Sequence, residues 1–374
     1  MKQVLVLMLL AASVVRADVS KFDERIAADS AQASADGIVW FDAAAYPLET
    51  KVCAATEGVY GRIPAAWAEK VPASVRGMGF NTTGHTFFLE TDSDKFGVRW
   101  ECEQKQHQDP YIPRQGMYGV DIYEKRDGKW RFVKNGRLDS VKNPTTGKIE
   151  SWDETRIGLS GKGPHQLLVY LPIRASLKWM RFGVSSGAKL VPGKWAPGHE
   201  KAIVHYGTSL VHGGCASRPG LMFTSLAARS LERPYVNLGF SGSARLEIEM
   251  ADVMAVREAA LYVVDTIWNC NVEIVRTRAE PFLRRLHALR PDTPILLCEG
   301  PEASGWRMDT NKALKEVFDK LVAEGALDGK LHYLPAEGQL PDDGEATHDY
   351  IHPNDYGSMQ MGRVFAARMA EIVK

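Results

Sequence analysis

The sequence has few cysteines, no surplus of one charge and no long apolar segment. Its 374 residues include five cysteines, none in a Cys-x-x-Cys pair, so neither a dense disulfide framework nor a zinc site of that type is expected. Lys plus Arg and Asp plus Glu both number 46, which leaves no excess of positive charge for binding nucleic acid. No run reaches the roughly 18 apolar residues of a membrane-spanning helix. The length and these absences predict a folded protein of about two domains, with no nucleic-acid partner and no membrane insertion.

The first residues differ in composition from the rest of the chain. Lys2 is followed by an uncharged run of residues 4–15, and small residues at Val15 and Ala17 suit a cleavage site. This order is typical of a secretory signal peptide. We therefore expect residues 1–17 to be removed after Ala17 and the mature protein to be secreted or periplasmic.

Residues 36–190 show the short alternating patterns of β-strands. Gly119–Tyr123 alternates between apolar and polar residues, Asp127-Gly128 is a hairpin turn sequence, and Trp130 and Phe132 resume the alternation. Further strands are predicted at Thr86–Glu90, Val98–Cys102 and Leu167–Leu171. Many short strands without intervening helices favour an antiparallel β-sandwich.

After residue 198 the pattern changes to buried strands that alternate with amphipathic helices. The predicted strands are Ile203–Tyr206, Tyr235–Leu238, Leu261–Asp265, Pro294–Leu297 and Leu331–Leu334, and the clearest helices are Thr310–Glu324 and Gly357–Ile372. This order predicts an open α/β domain with a parallel sheet of about five strands between two helical layers. A ligand is expected at the carboxyl ends of the strands.

Three residues near those strand ends suit nucleophilic catalysis. Ser209 follows the first strand of the α/β domain, and Asp349 and His352 precede the last helix. A carboxylate three residues from a histidine can hold its Nδ1–H and direct Nε2 at a serine. Asp265 also ends a strand, but it lacks this short spacing to His352. His205 and His212 are interpreted as structural, because His352 already supplies the base.

Two further segments suit the stabilisation of an oxyanion. The glycine-rich stretch Asn237–Gly242 leaves the second strand and can present a backbone N–H, and Asn269 follows the third strand with an amide donor. Because both segments leave strands at the same edge of the sheet, they are expected near Ser209.

In the order of these candidate residues along the chain, the sequence resembles the GDSL-like, or SGNH, hydrolase superfamily. Four sequence blocks of that superfamily supply Ser, Gly, Asn and His. The blocks stand here as Gly-Thr-Ser with Ser209, Gly-Phe-Ser-Gly with Gly242, Ile-Trp-Asn with Asn269, and Asp-Tyr-Ile-His with Asp349 and His352. The resemblance implies a flavodoxin-like hydrolase domain over residues 200–374. Residues 21–195 resemble the β-rich domain of an SGNH subgroup with a Gly-x-Asp-Leu-Tyr motif, present as Gly119–Tyr123.

The resemblance implies a two-step acyl transfer to water without a metal or organic cofactor. Ser209, Asp349 and His352 form the triad, and the N–H groups of Ser209 and Gly242 and the Asn269 amide form the oxyanion hole. Trp268, Arg218 and Arg245 are candidate substrate contacts. Two positions depart from the common pattern: Thr208 stands where the family has Asp, and Cys270 follows Asn269 in place of Asp.

We expect an exported esterase that removes small acyl groups such as acetyl from a carbohydrate or another small ester. A lipolytic or aryl esterase and a non-catalytic glycan-binding protein are the alternatives, and chain-length preference separates the first two. If the exported protein holds a disulfide, Cys215 and Cys270 are the first pair to test, because their motifs are predicted to share one site.

Overall fold

The computed structural model describes residues 34, 36–103, 110–136, 152–161, 163–301, 305 and 307–373. The predicted signal peptide lies outside these residues. The strands are β1 Ile38–Asp42, β2 Thr86–Thr91, β3 Lys95–Cys102, β4 Asp121–Arg126, β5 Lys129–Asn135, β6 Asp153–Gly158, β7 His165–Tyr170, β8 Leu177–Ser185, β9 Leu190–Pro192, β10 Ala202–Gly207, β11 Tyr235–Gly239, β12 Ala259–Asp265, β13 Ile295–Cys298 and β14 Leu331–Leu334. The α-helices are α1 Ala73–Met78, α2 Arg114–Met117, α3 Phe223–Leu231, α4 Ile248–Ala255, α5 Val272–Leu289, α6 Met308–Ala323 and α7 Asp355–Ile372. None of them is long and apolar enough to cross a membrane.

The first nine strands form two antiparallel sheets, with strand orders β1-β8-β3-β6 and β5-β4-β7-β2-β9. Alternate side chains of both sheets meet in one apolar core that includes Val98, Trp100, Val169 and Phe182. The hairpin between β4 and β5 turns at Asp127 and Gly128, both with positive φ, as a tight hairpin turn requires. This arrangement confirms the predicted β-sandwich.

The five later strands form a parallel sheet in the order β11-β10-β12-β13-β14. Alternate residues of β10 enter separate apolar cores on the two faces of the sheet, Val204 on one and Ile203 on the other. Helices α4, α5 and α6 cover the first face, and α3 and α7 cover the second. The predicted three-layer α/β fold is therefore confirmed.

Residues 46–85, which we call the bridging segment, lie between β1 and β2 in sequence but pack partly on the α/β domain. Val52, Ile63, Val71 and Val75 of this segment belong to the same buried core as Val204 of β10. No pattern in the sequence predicts this contribution. It means that a part of the chain from within the predicted sandwich region helps to form the hydrolase core.

Candidate active site

Ser209 lies just beyond the carboxyl end of β10, a central strand of the parallel sheet. The chain turns back immediately afterwards, since the N–H of His212 donates to the Thr208 carbonyl at 2.9 Å and that of Gly214 donates to the Ser209 carbonyl at 2.8 Å. Strands β11 and β12 flank β10 on opposite sides, so successive crossovers diverge at this point. Such a switch point opens a crevice at the sheet edge, and Ser209 stands there with 9% of its surface exposed.

The loop before α7 brings a histidine and a carboxylate to this serine. His352 Nε2 lies 2.8 Å from Ser209 Oγ, and His352 Nδ1 lies 2.7 Å from Asp349 Oδ2. The loop is closed by a bond of 3.1 Å from the His348 N–H to the His352 carbonyl. Asn354 then caps α7 by accepting from the Gly357 N–H at 3.1 Å. The three predicted catalytic residues therefore form one continuous hydrogen-bonded chain.

Asp349 is held as a carboxylate by its immediate neighbours. Its Oδ1 accepts from the backbone N–H groups of His352 at 2.7 Å and Ile351 at 3.0 Å, while Oδ2 faces the His352 ring. Burial by itself raises the pKa of Asp349, but these hydrogen bonds outweigh it and leave the pKa below its ordinary value. An ionised Asp349 fixes the proton of His352 on Nδ1 and leaves Nε2 as the acceptor that faces the serine.

Residues 239–244, which we call the glycine loop, begin at the last residue of β11 and lie beside the Ser209 turn. A Cβ at Gly239 would lie 2.2 Å from the backbone nitrogen of His212, so this position requires glycine. The N–H of Phe240 donates to the Gly207 carbonyl of β10 at 2.9 Å. Gly242 is exposed and has a φ of 69°, a conformation that glycine adopts without strain.

The Asn269 side chain lies against the glycine loop. In one amide orientation Oδ1 accepts from the N–H groups of Ser243 and Ala244, each at 3.2 Å. The opposite orientation offers one long bond of 3.4 Å from Nδ2 to the Phe240 carbonyl. We assign the first because Oδ1 then faces two backbone N–H donors. With Oδ1 engaged in this way, the donors on Nδ2 remain for another acceptor.

The three candidate substrate contacts occupy different environments. Trp268 is only 6% exposed and packs in the core beneath α3 and α7, so it offers no open ring face, contrary to the prediction. Arg245 is exposed and its Nη2 donates to the Gly242 carbonyl at 3.0 Å, so it lies at the rim of the glycine loop.

Arg218 joins the two domains. Its Nη1 donates to Asp121 of β4 at 2.6 Å and to the Tyr123 hydroxyl at 2.8 Å, and its guanidinium lies 3.9 Å from the Phe132 ring centroid. Asp121 and Tyr123 belong to the Gly119–Tyr123 motif of the sandwich. These contacts give Arg218 a role in domain docking in place of the predicted substrate contact.

The cysteines and His205 near the site were also considered from the sequence. No disulfide joins Cys215 and Cys270, the pair that the sequence puts first for testing. Burial raises the pKa of the Cys270 thiol to about 11. His205 is buried within the α/β core, with its Nδ1 2.7 Å from the Tyr235 hydroxyl. Among the described residues no group of three or more His, Cys, Asp or Glu side chains could hold a metal ion.

Two features beside the site were missed from the sequence. Tyr111, in the chain between β3 and β4, stacks on His348 of the loop that carries Asp349, with ring centroids 5.8 Å apart. Arg62, on the bridging segment, reaches the glycine loop with hydrogen bonds to the carbonyls of Asn237 and Gly239. No local motif marks either residue, because both contacts join segments far apart in sequence.

Two family models match the chain on either side of the domain junction. The model of the GDSL-like lipase/acylhydrolase family matches residues 200–370, and that of the N-terminus of SGNH hydrolase-type esterases matches residues 38–190. The chain belongs to the GDSL-like, SGNH-type esterases. This membership confirms both resemblances and accounts for the hydrolase fold behind a β-rich domain.

Solved structures agree with this membership in the SGNH-type esterases. A protein from Bacteroides ovatus, described as a GDSL-like lipase, is 28% identical with a TM-score of 0.78, over 90% of this chain and 98% of that one. The salicylyl-acyltransferase SsfX3 of a tetracycline biosynthetic pathway is 19% identical, with a TM-score of 0.66 over 83% of this chain and 89% of that one. A family two carbohydrate esterase from Clostridium thermocellum is 15% identical, with a TM-score of 0.54 over 77% of this chain and 92% of that one. The last two share the fold. No curated protein matches the chain significantly.

Proposed function

We propose that this esterase hydrolyses small acyl esters on carbohydrate, with acetyl as the acyl group and Ser209 as the nucleophile. The observation that carries the proposal is the unbroken chain from Ser209 Oγ through the His352 ring to Asp349 Oδ2, with separations of 2.8 and 2.7 Å. A serine paired with an oriented histidine in this way is activated for attack on a carbonyl carbon.

The proposed reaction has two steps. The Ser209 oxygen attacks the ester carbonyl while His352 Nε2 takes its proton, and the resulting tetrahedral intermediate carries the negative charge on the former carbonyl oxygen. His352 then gives the proton to the leaving alkoxide as the C–O bond breaks, which releases the alcohol and leaves an acyl-serine. Water attacks the acyl-serine by the same route and releases the carboxylic acid. Asp349 keeps the imidazole in the required tautomer and stabilises its charged form throughout.

The oxyanion is proposed to accept hydrogen bonds from Ser209, Gly242 and Asn269. Within the described part of the chain, the backbone N–H groups of Ser209 and Gly242 donate to no protein acceptor, which leaves both for a substrate oxygen. Asn269 contributes Nδ2 once its Oδ1 is engaged by the glycine loop. Donors fixed before the reaction stabilise the transition state most, since they need no reorganisation.

Exposed aromatic rings near the loop of Asp349 support a carbohydrate substrate. Tyr350 follows Asp349 directly and is 62% exposed, and Tyr111 of the sandwich is 45% exposed and stacks on His348. Flat, partly apolar rings of this kind suit the faces of sugars. The fold shared with carbohydrate esterases points in the same direction by analogy.

Hydrolysis of nitrophenyl esters of increasing acyl length tests the proposal. We expect acetyl-selective turnover that Ser209→Ala abolishes and that Ser230→Ala retains, because Ser230 lies exposed on α3. A preference for long acyl chains would favour a lipolytic enzyme. Absence of turnover on both nitrophenyl and acetylated polysaccharide substrates would contradict catalysis and favour a glycan-binding role.

Export is a separate proposal that rests on Lys2 and the uncharged run of residues 4–15. The full-length chain, expressed in a bacterial host, is expected in the periplasm or medium with Asp18 as its first residue. Mass spectrometry of the fractionated protein measures this, and an intact amino terminus in the cytoplasm would contradict it.

A further inference from the structure

Arg62 of the bridging segment is buried between the two parts of the molecule and is only 1% exposed. Its Nε donates to the Asn81 carbonyl at 2.9 Å and its Nη2 to the Met78 carbonyl at 2.8 Å. Its Nη1 donates across the junction to the carbonyls of Asn237 at 3.2 Å and Gly239 at 2.8 Å. The guanidinium thus bonds to the strand end from which the glycine loop begins.

The positive charge of Arg62 has no negative partner among the described residues, since its acceptors are backbone carbonyls and a histidine nitrogen. Burial lowers the pKa of Arg62 to about 9, so the group is still charged at neutral pH. A buried charge without a counter-ion is costly, and an apolar side chain would avoid that cost only by leaving four backbone carbonyls without this donor. A charge kept in such a place therefore calls for a reason beyond packing.

His212 extends the contact from Arg62 to the glycine loop. Arg62 Nη2 lies 3.4 Å from His212 Nε2, and His212 Nδ1 lies 3.0 Å from Ser241 Oγ. Arginine only donates, so Nε2 faces a donor, while Nδ1 also lies 3.3 Å from the Ser241 backbone nitrogen. The neutral ring therefore contacts Ser241 at both its backbone and its hydroxyl. Burial, reinforced by the charges of Arg62 and Arg174, lowers the pKa of His212 well below its ordinary value and keeps the ring neutral.

Arg62 consequently holds three consecutive residues of the glycine loop. It bonds to the Gly239 carbonyl, its guanidinium carbon lies 4.7 Å from the Phe240 ring centroid, and it reaches Ser241 through His212. The next residue is Gly242, the proposed oxyanion donor. A displacement of about 1 Å in such a group lowers turnover by as much as about 100-fold.

We propose that Arg62 is a positioning residue that fixes the glycine loop for oxyanion binding and places a fixed positive charge behind it. The proposal rests on the esterase activity proposed above. It assigns the bridging segment a part in the reaction, although no residue of that segment belongs to the proposed triad.

Substitution of Arg62 by Met and by Lys tests the proposal. Arg62→Met keeps much of the volume and removes the charge, and we expect kcat for an acetyl ester to fall about 10- to 100-fold while KM changes less than about threefold. Arg62→Lys keeps the charge, so it is expected to recover most of the kcat that Arg62→Met loses. Ser241→Ala, which leaves the buried guanidinium in place, is expected to lower kcat about three- to tenfold and provides the test if Arg62→Met fails to fold.

Arg233→Met is the matched control. Arg233 is 7% exposed and donates to the Val373 carbonyl at 3.3 Å, at the opposite, amino-terminal edge of the sheet. Its loss is expected to lower stability without a specific loss of kcat. An equal loss of kcat in folded Arg62→Met and Arg233→Met, or a change confined to KM, would overturn the proposal.

Hydrogen exchange separates this proposal from the proposed function. Arg62→Met is expected to speed amide exchange in residues 239–244 and to leave exchange in α5 and α6 unchanged. Unchanged exchange in the glycine loop would overturn the positioning role whether or not the enzyme is active. Absence of Ser209-dependent turnover in the wild-type protein would instead remove the proposed function.

Discussion

Asp121 of the sandwich and Arg218 of the α/β domain form an ion pair across the domain junction, with Asp121 Oδ2 2.6 Å from Arg218 Nη1. Asp121 has no exposed surface. Its carboxylate also accepts from the Gly220 N–H at 2.8 Å and from Asn135 Nδ2 at 2.7 Å. The Gly119–Tyr123 motif therefore serves as the anchor of one domain on the other.

Asp121→Ala is expected to destabilise the protein by about 3–5 kcal/mol, because it leaves the cation and two further donors without their buried acceptor. Urea unfolding measures this change. The control is Asp319→Ala, whose partner Lys315 and own side chain are both about half exposed, and for which a cost below about 1 kcal/mol is expected. Similar costs for the two variants would contradict an anchoring role for Asp121.

Asp349→Asn is expected to lower kcat by about 10³–10⁴-fold with little effect on KM, because an amide no longer fixes the imidazole tautomer or stabilises its charge. Steady-state kinetics on an acetyl ester measure the change. Asp342→Asn on the same loop, where Asp342 is exposed, should keep wild-type activity. A loss below about tenfold in Asp349→Asn would argue that His352 is oriented by another group.

Asn269→Ala is expected to lower kcat by about 10²–10³-fold, as the loss of one oxyanion donor does in other acyl-transfer enzymes. Asn271→Ala is the control, because Asn271 caps α5 by accepting from the Ile274 N–H at 2.8 Å. That variant should lose about 1 kcal/mol of stability and retain its kcat. Equal kcat values for the two variants would exclude Asn269 from the oxyanion hole.

His212→Gln is expected to reduce the pH dependence of stability. A histidine in the unfolded chain binds a proton near pH 6.5, whereas the lowered pKa of His212 keeps it neutral in the folded protein. Below pH 6.5 the unfolded state therefore binds more protons, and wild-type stability falls as the pH falls, with a slope that approaches about 1.4 kcal/mol per unit well below pH 6.5. The stability advantage of the wild type over His212→Gln should shrink by about 1 kcal/mol between pH 6.5 and 5.5 in urea unfolding. Parallel pH profiles would show that His212 is protonated in the folded state.

The strand and helix predictions succeeded where the pattern was local. The period-two alternation of residues 119–132 predicted the β4–β5 hairpin, and the apolar runs from Ile203 to Leu334 predicted the parallel strands to within about two residues at their ends. Ser209, Asp349 and His352 were also predicted from local sequence, since each follows a strand or precedes a helix at the edge where parallel strands end. Their catalytic roles stay predictions until activity is measured.

The predictions that failed concern side chains that contact a segment distant in sequence. Arg218 stands beside the Ser209 turn in sequence and was interpreted as a substrate contact, but Asp121 of the sandwich binds it. Trp268 adjoins Asn269 and yet points into the core. The residues next to Arg218 and Trp268 in sequence do not determine these contacts, because both depend on how the domains and layers pack.

The sequence by itself determined the two domain classes and the residues that suit acyl chemistry, because hydrophobic period and strand-end position depend on neighbours along the chain. Only the tertiary structure decided how the bridging segment closes on the α/β core and where Arg62 places its charge. Those contacts join residues widely separated in sequence, and burial and hydrogen-bond geometry select them only when the chain is folded.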